Sequence, residues 1–302
     1  MLQTSWSCGI RTGTGGLSEV EMNVTILGLG AMGSRVAARA VAAGHAVRTY
    51  TRSAREVAGA EAVSTPREAA TGADVVISML TDIAASRAVW QDAAIGALAG
   101  MSEGAVAIEC STLTPAATIT LRDAAAAVGV RFVEAPVVGT RPHAEQGILS
   151  ILAGGPPEVV DEVRPVLETF GKVVPVGEVG EAMAAKLAVN AMFAGQVVLL
   201  SEVLAILQLH DVGLDRGLAL LEATPVFAPV LGGIAALLRA GDDAPRFPVA
   251  LVEKDLGYAA GHGDLPLLEA VRARYAAAIA QSLGDRNIQA VAGLVLDTSS
   301  AD

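Results

Sequence analysis

The chain has 302 residues, 52% of them apolar but only 3% aromatic, and a net charge of −11. That length allows two domains or one large one, and the composition supplies a sizeable core of Ala, Val and Leu. The acidic balance argues against nucleic acid or an anionic membrane surface as partner, and leaves small anionic ligands open through local cationic groups.

The first 21 residues carry Gly, Ser and Thr without helical or strand period and without an apolar h-region. They read as a disordered extension, with Met22 as a candidate native start. Asn23–Leu27 is a short β-rich run, followed at once by Gly28-Leu29-Gly30-Ala31-Met32-Gly33 and then by a helical stretch ending at Gly44. Strand, GxGxxG, helix is the context of a dinucleotide-binding fingerprint. Gly28 allows the tight turn, Gly30 lets backbone approach a pyrophosphate, and Gly33 lets helix pack on strand. The helix N-terminus presents N–H groups and a positive dipole end to phosphate. A tight packing turn is the bland alternative.

Ala46–Tyr50 reads as the second strand, and Thr51-Arg52-Ser53 follows it. NAD-preferring sites place an acid there for the ribose hydroxyls. Here an arginine and two hydroxyls stand instead, which suits a 2′-phosphate, so NADP is expected over NAD. Arg55 reads as a solvated surface arginine.

Ala73–Leu80 reads as a buried strand whose last residues, Met79 and Leu80, join the expected cofactor contacts. Ala105–Glu109 is another, ending in Cys110-Ser111-Thr112, and Pro115 opens a helix to about Val128. Strands at Arg131–Glu134 and Ile148–Ala153, a helix from Pro156-Pro157 to about Phe170, and a last strand at Lys172–Pro175 complete the half. The pattern predicts an α/β, doubly wound, mostly parallel Rossmann-type sheet over residues 22–180. Glu134–Leu149, with two prolines and two glycines, reads as a shaped loop beyond a strand end. Gly139 offers a backbone N–H there and Thr140 a hydroxyl. Arg141 and His143 are its other polar groups, and His143 shows no partner in the sequence.

From Glu181 the β signal stops, and residues 181–302 are expected to form an all-helical substrate and dimerisation domain. Its helices fall at Glu181–His210, Asp215–Ala223, Val230–Ala240, Pro248–Gly261, Pro266–Gln281 and Asn287–Leu296. The first is long and apolar all round. Lys186 and Asn190, four apart, share one of its faces. A desolvated lysine there can exchange a proton near neutral pH; the bland alternative is a snorkelling core lysine. The longest uncharged apolar run, Leu187–Ser201, falls short of the roughly 18–20 residues of a bilayer span, so a soluble cytoplasmic protein is expected. Lys254-Asp255 alone reads as a solvated ion pair on a helix face. Cys8 and Cys110 make no disulfide framework, and the four histidines have no metal-ligand spacing, so no metal is expected.

Five segments stand in a fixed order: GLGAMG (Gly28–Gly33), STLTP (Ser111–Pro115), EAPVVGTRPHAEQG (Glu134–Gly147), GEVGEAMAAKLAVN (Gly177–Asn190) and KDLGYA (Lys254–Ala259). Together they resemble the β-hydroxyacid dehydrogenase family, over about Met22 to Leu296. The resemblance implies an NADP(H)-dependent oxidoreductase of a small hydroxy acid or semialdehyde, closest in type to glyoxylate/succinic semialdehyde reductases. It implies Lys186 as general acid/base, Asn190 beside the substrate, Thr112 near the nicotinamide and Lys254 on the cofactor, in a homodimer or higher homo-oligomer. One departure is visible. Where the family commonly reads DAPVSGG, this chain has Val138, Gly139 and Thr140 as the substrate-binding run, and Val138 brings no hydroxyl. The related imine reductases usually lack a lysine at the Lys186 position, so an imine reductase-like enzyme is the alternative; a non-catalytic NADPH-binding protein is a further one.

Overall fold

The computed structural model describes residues 21–53, 55–261 and 263–296. Residues 1–20 of the expected extension, with Cys8, lie outside them, as does His262. The chain divides into two compact units, one ending at Lys186 and the other beginning at Leu187.

The first unit is built on a nine-stranded sheet. Its parallel part runs through β1 (Asn23–Leu27), β2 (Ala46–Tyr50), β3 (Glu61–Ala62), β4 (Val75–Ser78), β5 (Val106–Glu109) and β6 (Arg131–Glu134), in the spatial order β3-β2-β1-β4-β5-β6. Strand period 2 explains why both faces are apolar. Val24, Ile26, Val75, Ile77, Val106 and Ile108 face one core, with α1 (Gly33–Ala42) and α6 (Pro157–Leu167) over it. Leu27, Val76 and Ala107 face the other, under α2 (Pro66–Ala70), α3 (Ile83–Gln91) and α4 (Pro115–Ala126). Helices on both faces make this the expected doubly wound, mostly parallel sheet.

Past β6 the chain departs from a plain loop. Val137–Val138 forms β7 and Arg141–Gln146 forms a short helix, α5. β7 lies antiparallel to β8 (Leu149–Gly154), which also pairs antiparallel with β6 and parallel with β9 (Gly171–Gly177). The sequence hides this helix because its ends are set by punctuation rather than period: Pro142 sits in its first turn and Gly147, at φ 71°, closes it in the left-handed region.

α7 (Glu181–Gln208) runs for 28 residues across the division between the units. In the second unit its residues Ala194, Val197, Leu200 and Leu204 share a core with α8 (Leu214–Glu222), α9 (Leu231–Ala240), α10 (Val249–Ala260) and α11 (Pro266–Ala280). The expected last helix is a 3₁₀ segment, Ile288–Leu294. One expectation about α7 changes. Counting uncharged runs understated it: an 18-residue window has mean hydropathy 1.7, so by length and composition it is long enough to cross a membrane, and 39% of that window is buried inside the protein. One stripe of it is exposed: Met192, Leu199 and Ile206, seven apart, are 70%, 62% and 56% exposed.

Candidate functional site

The site begins with a row. Strand register sets Tyr50, Leu27, Ser78, Glu109 and Glu134 side by side as the last residues of five neighbouring parallel strands. Everything expected to touch a cofactor in this unit follows directly from that row: Gly28–Gly33, Thr51–Ser53, Met79 and Leu80, and Thr112. Ligands of open α/β sheets bind outside the carboxyl ends of the strands, where the order reverses; here the switch lies at β1, which is flanked by β2 and β4.

The three fingerprint glycines are glycine for different reasons. Gly28 has φ 98°, and a Cβ on it would stand 2.5 Å from the Met79 carbonyl oxygen. A Cβ on Gly33 would collide with the Gly28 carbonyl oxygen. Gly30 is exposed, and a Cβ on it would meet nothing of the protein within 4 Å. The fold therefore demands Gly28 and Gly33 but not Gly30; the space beside Gly30 is the cradle that close approach of a phosphate requires. No side chain caps the N-terminus of α1, where Met32 is the cap residue, so its first turn suits an anion. Leu29 is buried at 1% exposure and anchors the loop, while Ala31 is half-buried and its carbonyl accepts from Arg35 Nη1 at 2.6 Å. These residues fit a dinucleotide.

Thr51 and Ser53 close a small turn, Oγ1 to Oγ at 3.2 Å, and Arg52 stands exposed between them. Gly28 N–H donates to the Tyr50 carbonyl at 2.8 Å, so this turn lies against the fingerprint. Arg55 is exposed, as read from the sequence, but it also bonds to the fold. Its Nη1 donates to the Leu29 carbonyl at 2.8 Å, which brings a second guanidinium to the Gly-rich loop. Its only signal in the sequence was its spacing from Arg52.

Two buried glutamates on the row organise the rest, and sequence reasoning missed both. Glu109, fully buried, accepts from Ser78 Oγ (2.6 Å) and Ser111 N (2.8 Å) on Oε1 and from Ser86 Oγ (2.7 Å) and Trp90 Nε1 (3.0 Å) on Oε2. Four donors saturate a carboxylate. Ser111 Oγ in turn accepts from Leu80 N at 2.8 Å, so the network ties the turn holding Met79 and Leu80 to the turn holding Thr112. The Cys110 thiol between them is buried and pushed well above its usual range, first by burial and then by the charge of Glu109.

Glu134 reaches the start of α7. Its Oε1 accepts from the backbone N–H groups of Gly180 (2.7 Å), Ala182 (2.8 Å) and Met183 (3.3 Å). A strand carboxylate thus satisfies the orphan amides of the helix that carries Lys186. Its Oε2 is buried without a hydrogen-bond partner. Burial raises the pKa of this carboxyl, against the lowering effect of the three amides, and nearby Glu181 raises it further. Gly154 makes room for it, since a Cβ there would stand 2.6 Å from Glu134 Oε1.

Lys186 is 9% exposed in the second turn of α7. In the second unit, Asn190 is 6% exposed and donates through Nδ2 to Asp255 Oδ2 at 2.7 Å. Asp255 is itself buried, and its Oδ1 lies 2.8 Å from Lys254 Nζ, which also stands 4.7 Å over the Tyr258 ring. The KDL segment is therefore not a solvated pair: it turns an acid inward to fix the Asn190 amide. Asp255 was missed because a Lys-Asp dipeptide on a helix resembles any surface pair.

The expected substrate run is changed most. Val138 pairs with Ser150 and is half-buried. Gly139 has φ 138°, and a Cβ there would stand 2.7 Å from Leu149 Cδ2 and 3.2 Å from His143 Cβ. Thr140 was expected to offer its amide and hydroxyl outward. Both turn instead to His143 Nδ1, the amide at 3.1 Å and Oγ1 at 2.8 Å, as the start of α5. His143 has a partner after all, and its role is to cap. Among the described residues, no group of three or more His, Cys, Asp or Glu is placed to hold a metal ion.

Comparison with known proteins agrees with this layout. Residues 23–184 match the family model described as the NAD binding domain of 6-phosphogluconate dehydrogenase, and residues 180–295 match that described as NAD-binding of NADP-dependent 3-hydroxyisobutyrate dehydrogenase. The chain is 30% identical to the mitochondrial 3-hydroxyisobutyrate dehydrogenase of Drosophila melanogaster, covering 90% of this chain and 89% of that protein. It is 29% identical to glyoxylate/succinic semialdehyde reductase 1 of Arabidopsis thaliana, covering 89% and 97%. Among solved structures, the 3-hydroxyisobutyrate dehydrogenase of Mycobacterium tuberculosis with L-serine is similar at a TM-score of 0.78 and 27% identity, over 92% of this chain and 100% of that one. This protein belongs to the β-hydroxyacid dehydrogenase family of NAD(P)-dependent oxidoreductases.

Proposed function

We propose that this protein is an NADP(H)-dependent reductase of small semialdehydes or keto acids, working in the other direction as a hydroxy acid dehydrogenase. A bound dihydronicotinamide supplies the hydride. Lys186 gives a proton to the oxygen of the reacting carbonyl, or takes it back in oxidation, and a group placed to do so contributes about 10²–10⁴-fold. Asn190, its amide set by Asp255, orients that oxygen. Gly28–Gly33 hold the pyrophosphate, Arg52 with Thr51 and Ser53 pairs with a 2′-phosphate, and Met79, Leu80 and Thr112 line the cofactor; Lys254 completes its contacts.

The observation that carries the reading is a lysine 9% exposed on a helix whose first turn is fixed by Glu134, in the unit that bears the fingerprint. Lysine is among the residue types least often buried, and a buried titratable group in a unit that bears a cofactor fingerprint is a candidate for proton chemistry. The apolar stripe Met192, Leu199 and Ile206 supports a homodimer formed through α7, and the buried residues of the same helix support a core helix over a membrane span.

The test is oxidation of NADPH, and separately NADH, against glyoxylate, succinic semialdehyde, neutral aldehydes and cyclic imines. The reading expects turnover with the carboxylate-bearing aldehydes and NADPH. Turnover of the imines alone would replace it by imine reduction, and tight NADPH binding without turnover of any carbonyl would make the protein a non-catalytic binder.

A further inference from the structure

The turn after β7 has lost the donors that its sequence promised. Val138 has an aliphatic side chain, and both polar groups of Thr140 are bonded to His143 Nδ1. What remains in that turn is the Gly139 backbone and one cation, Arg141. The Arg141 Nε is buried without a hydrogen-bond partner. Glu145, one helical turn on and on the same face of α5, is engaged by Arg35 at 2.7 Å. A buried N–H of a charged group with no acceptor is destabilising, and such groups are rare enough to call for an explanation. Its backbone is fixed by the cap at one end of α5 and the left-handed Gly147 at the other, so the guanidinium projects from a held frame rather than a floppy loop.

We propose that Arg141 is the oxyanion receptor of this turn and determines specificity by pairing with a carboxylate of the substrate, in the place of the hydroxyl that Val138 lacks. This rests on the reading of the protein as a reductase of small carbonyl compounds. The Nε edge of a guanidinium presents two parallel N–H groups to the two oxygens of a carboxylate, which a hydroxyl or an ammonium does not. The ligand class is a carboxylate-bearing aldehyde or keto acid. The same oxyanion chemistry is offered by a cofactor phosphate, since α5 lies against α1 through Arg35 and Glu145, and the experiment separates the two sources.

The full chain is compared with Arg141→Met and Arg141→Lys. Steady-state rates are taken with succinic semialdehyde and with a neutral aldehyde of the same length, and the NADPH Kd is read by fluorescence. Binding of succinate, a non-reacting carboxylate, is read by calorimetry in the presence of NADP+. Arg141→Met is expected to lower kcat/KM for succinic semialdehyde about 10–100-fold, the range of a lost charge-assisted hydrogen bond, while the neutral aldehyde and the NADPH Kd change less than threefold. Arg141→Lys, keeping charge without the fork, falls between. Equal loss on both aldehydes with weakened NADPH would assign Arg141 to the cofactor phosphate and overturn the proposal, as would no change on either. If the wild type reduces no carbonyl, the reading of the function fails by itself, and succinate binding lost in Arg141→Met still upholds the receptor while binding unchanged overturns it.

Discussion

Glu109 and Glu134 are the same residue type, on adjacent strands, paired in register, and both fully buried. Yet one has four donors shared over both oxygens, and the other has three amides on one oxygen and no partner on the second. The contrast separates two ways of building a site. Glu109 is a closed network that holds two turns against each other, and a closed network rigidifies what it joins. Glu134 tethers the sheet to the first turn of α7 through one oxygen, while its other oxygen is buried without a partner. The turns after β4 and β5 are braced through both oxygens of one carboxylate; the start of α7 is held by one oxygen of the other, beside the Leu113 amide on Met183 Sδ.

The largest expected effect on stability follows from opening the closed network. Glu109→Ala leaves the hydroxyls of Ser78 and Ser86, the Trp90 indole N–H and the Ser111 amide without their acceptor, and should cost about 3 kcal/mol or more in urea unfolding. The NADPH affinity should fall with it, because Leu80 N is held through Ser111. A variant of wild-type stability would show that the four donors find water instead, and the contrast with Glu134 would collapse.

The tether makes a prediction about pH. A carboxyl whose pKa is raised on folding contributes stability that is complete below its unfolded value of 4.5 and lost as the pH rises through its folded value. Glu134→Gln removes that titration while its carbonyl can still accept from Gly180, Ala182 and Met183. The stability of the variant relative to wild type should therefore rise between pH 4.5 and the raised value, then level off. A difference that stays constant with pH would mean that Glu134 bears no burial cost, and that the two glutamates differ only in their partners.

The smallest effect is expected at the rim. Arg52 is exposed, so the pairing with a 2′-phosphate proposed for it would be partly screened. Arg52→Ala should weaken NADPH about 10-fold and leave NADH nearly unchanged. Equal affinities before and after would pass the 2′-phosphate to Arg55, whose contact with Leu29 puts it at the same loop.

What the sequence made legible, and what it hid, divides along the same line. Gly28–Gly33 was readable because its constraints are local: a positive φ at Gly28 and a close approach at Gly33 belong to the backbone and leave a mark in residue type. The buried strands and α7 were readable from their apolar pattern. The capping of Thr140 by His143, the tether from Glu134 and the clamp of Asp255 on Asn190 were not, since each depends on where a side chain is aimed after folding. The short helix α5 vanished for a related reason: six residues bounded by proline and glycine show no period. Arg55 shows the limit most simply, being one arginine among several until a fold brings it onto Leu29.

The central claim is that α7 is held so that Lys186 exchanges the proton of the reacting carbonyl. The direct measurement is kcat of Lys186→Ala for NADPH-dependent reduction of the best substrate, with the NADPH Kd measured on the same preparation. The account predicts a fall in kcat of about 10²–10⁴-fold with the Kd within about twofold of wild type. Turnover that survives the substitution would contradict it and return Lys186 to the core.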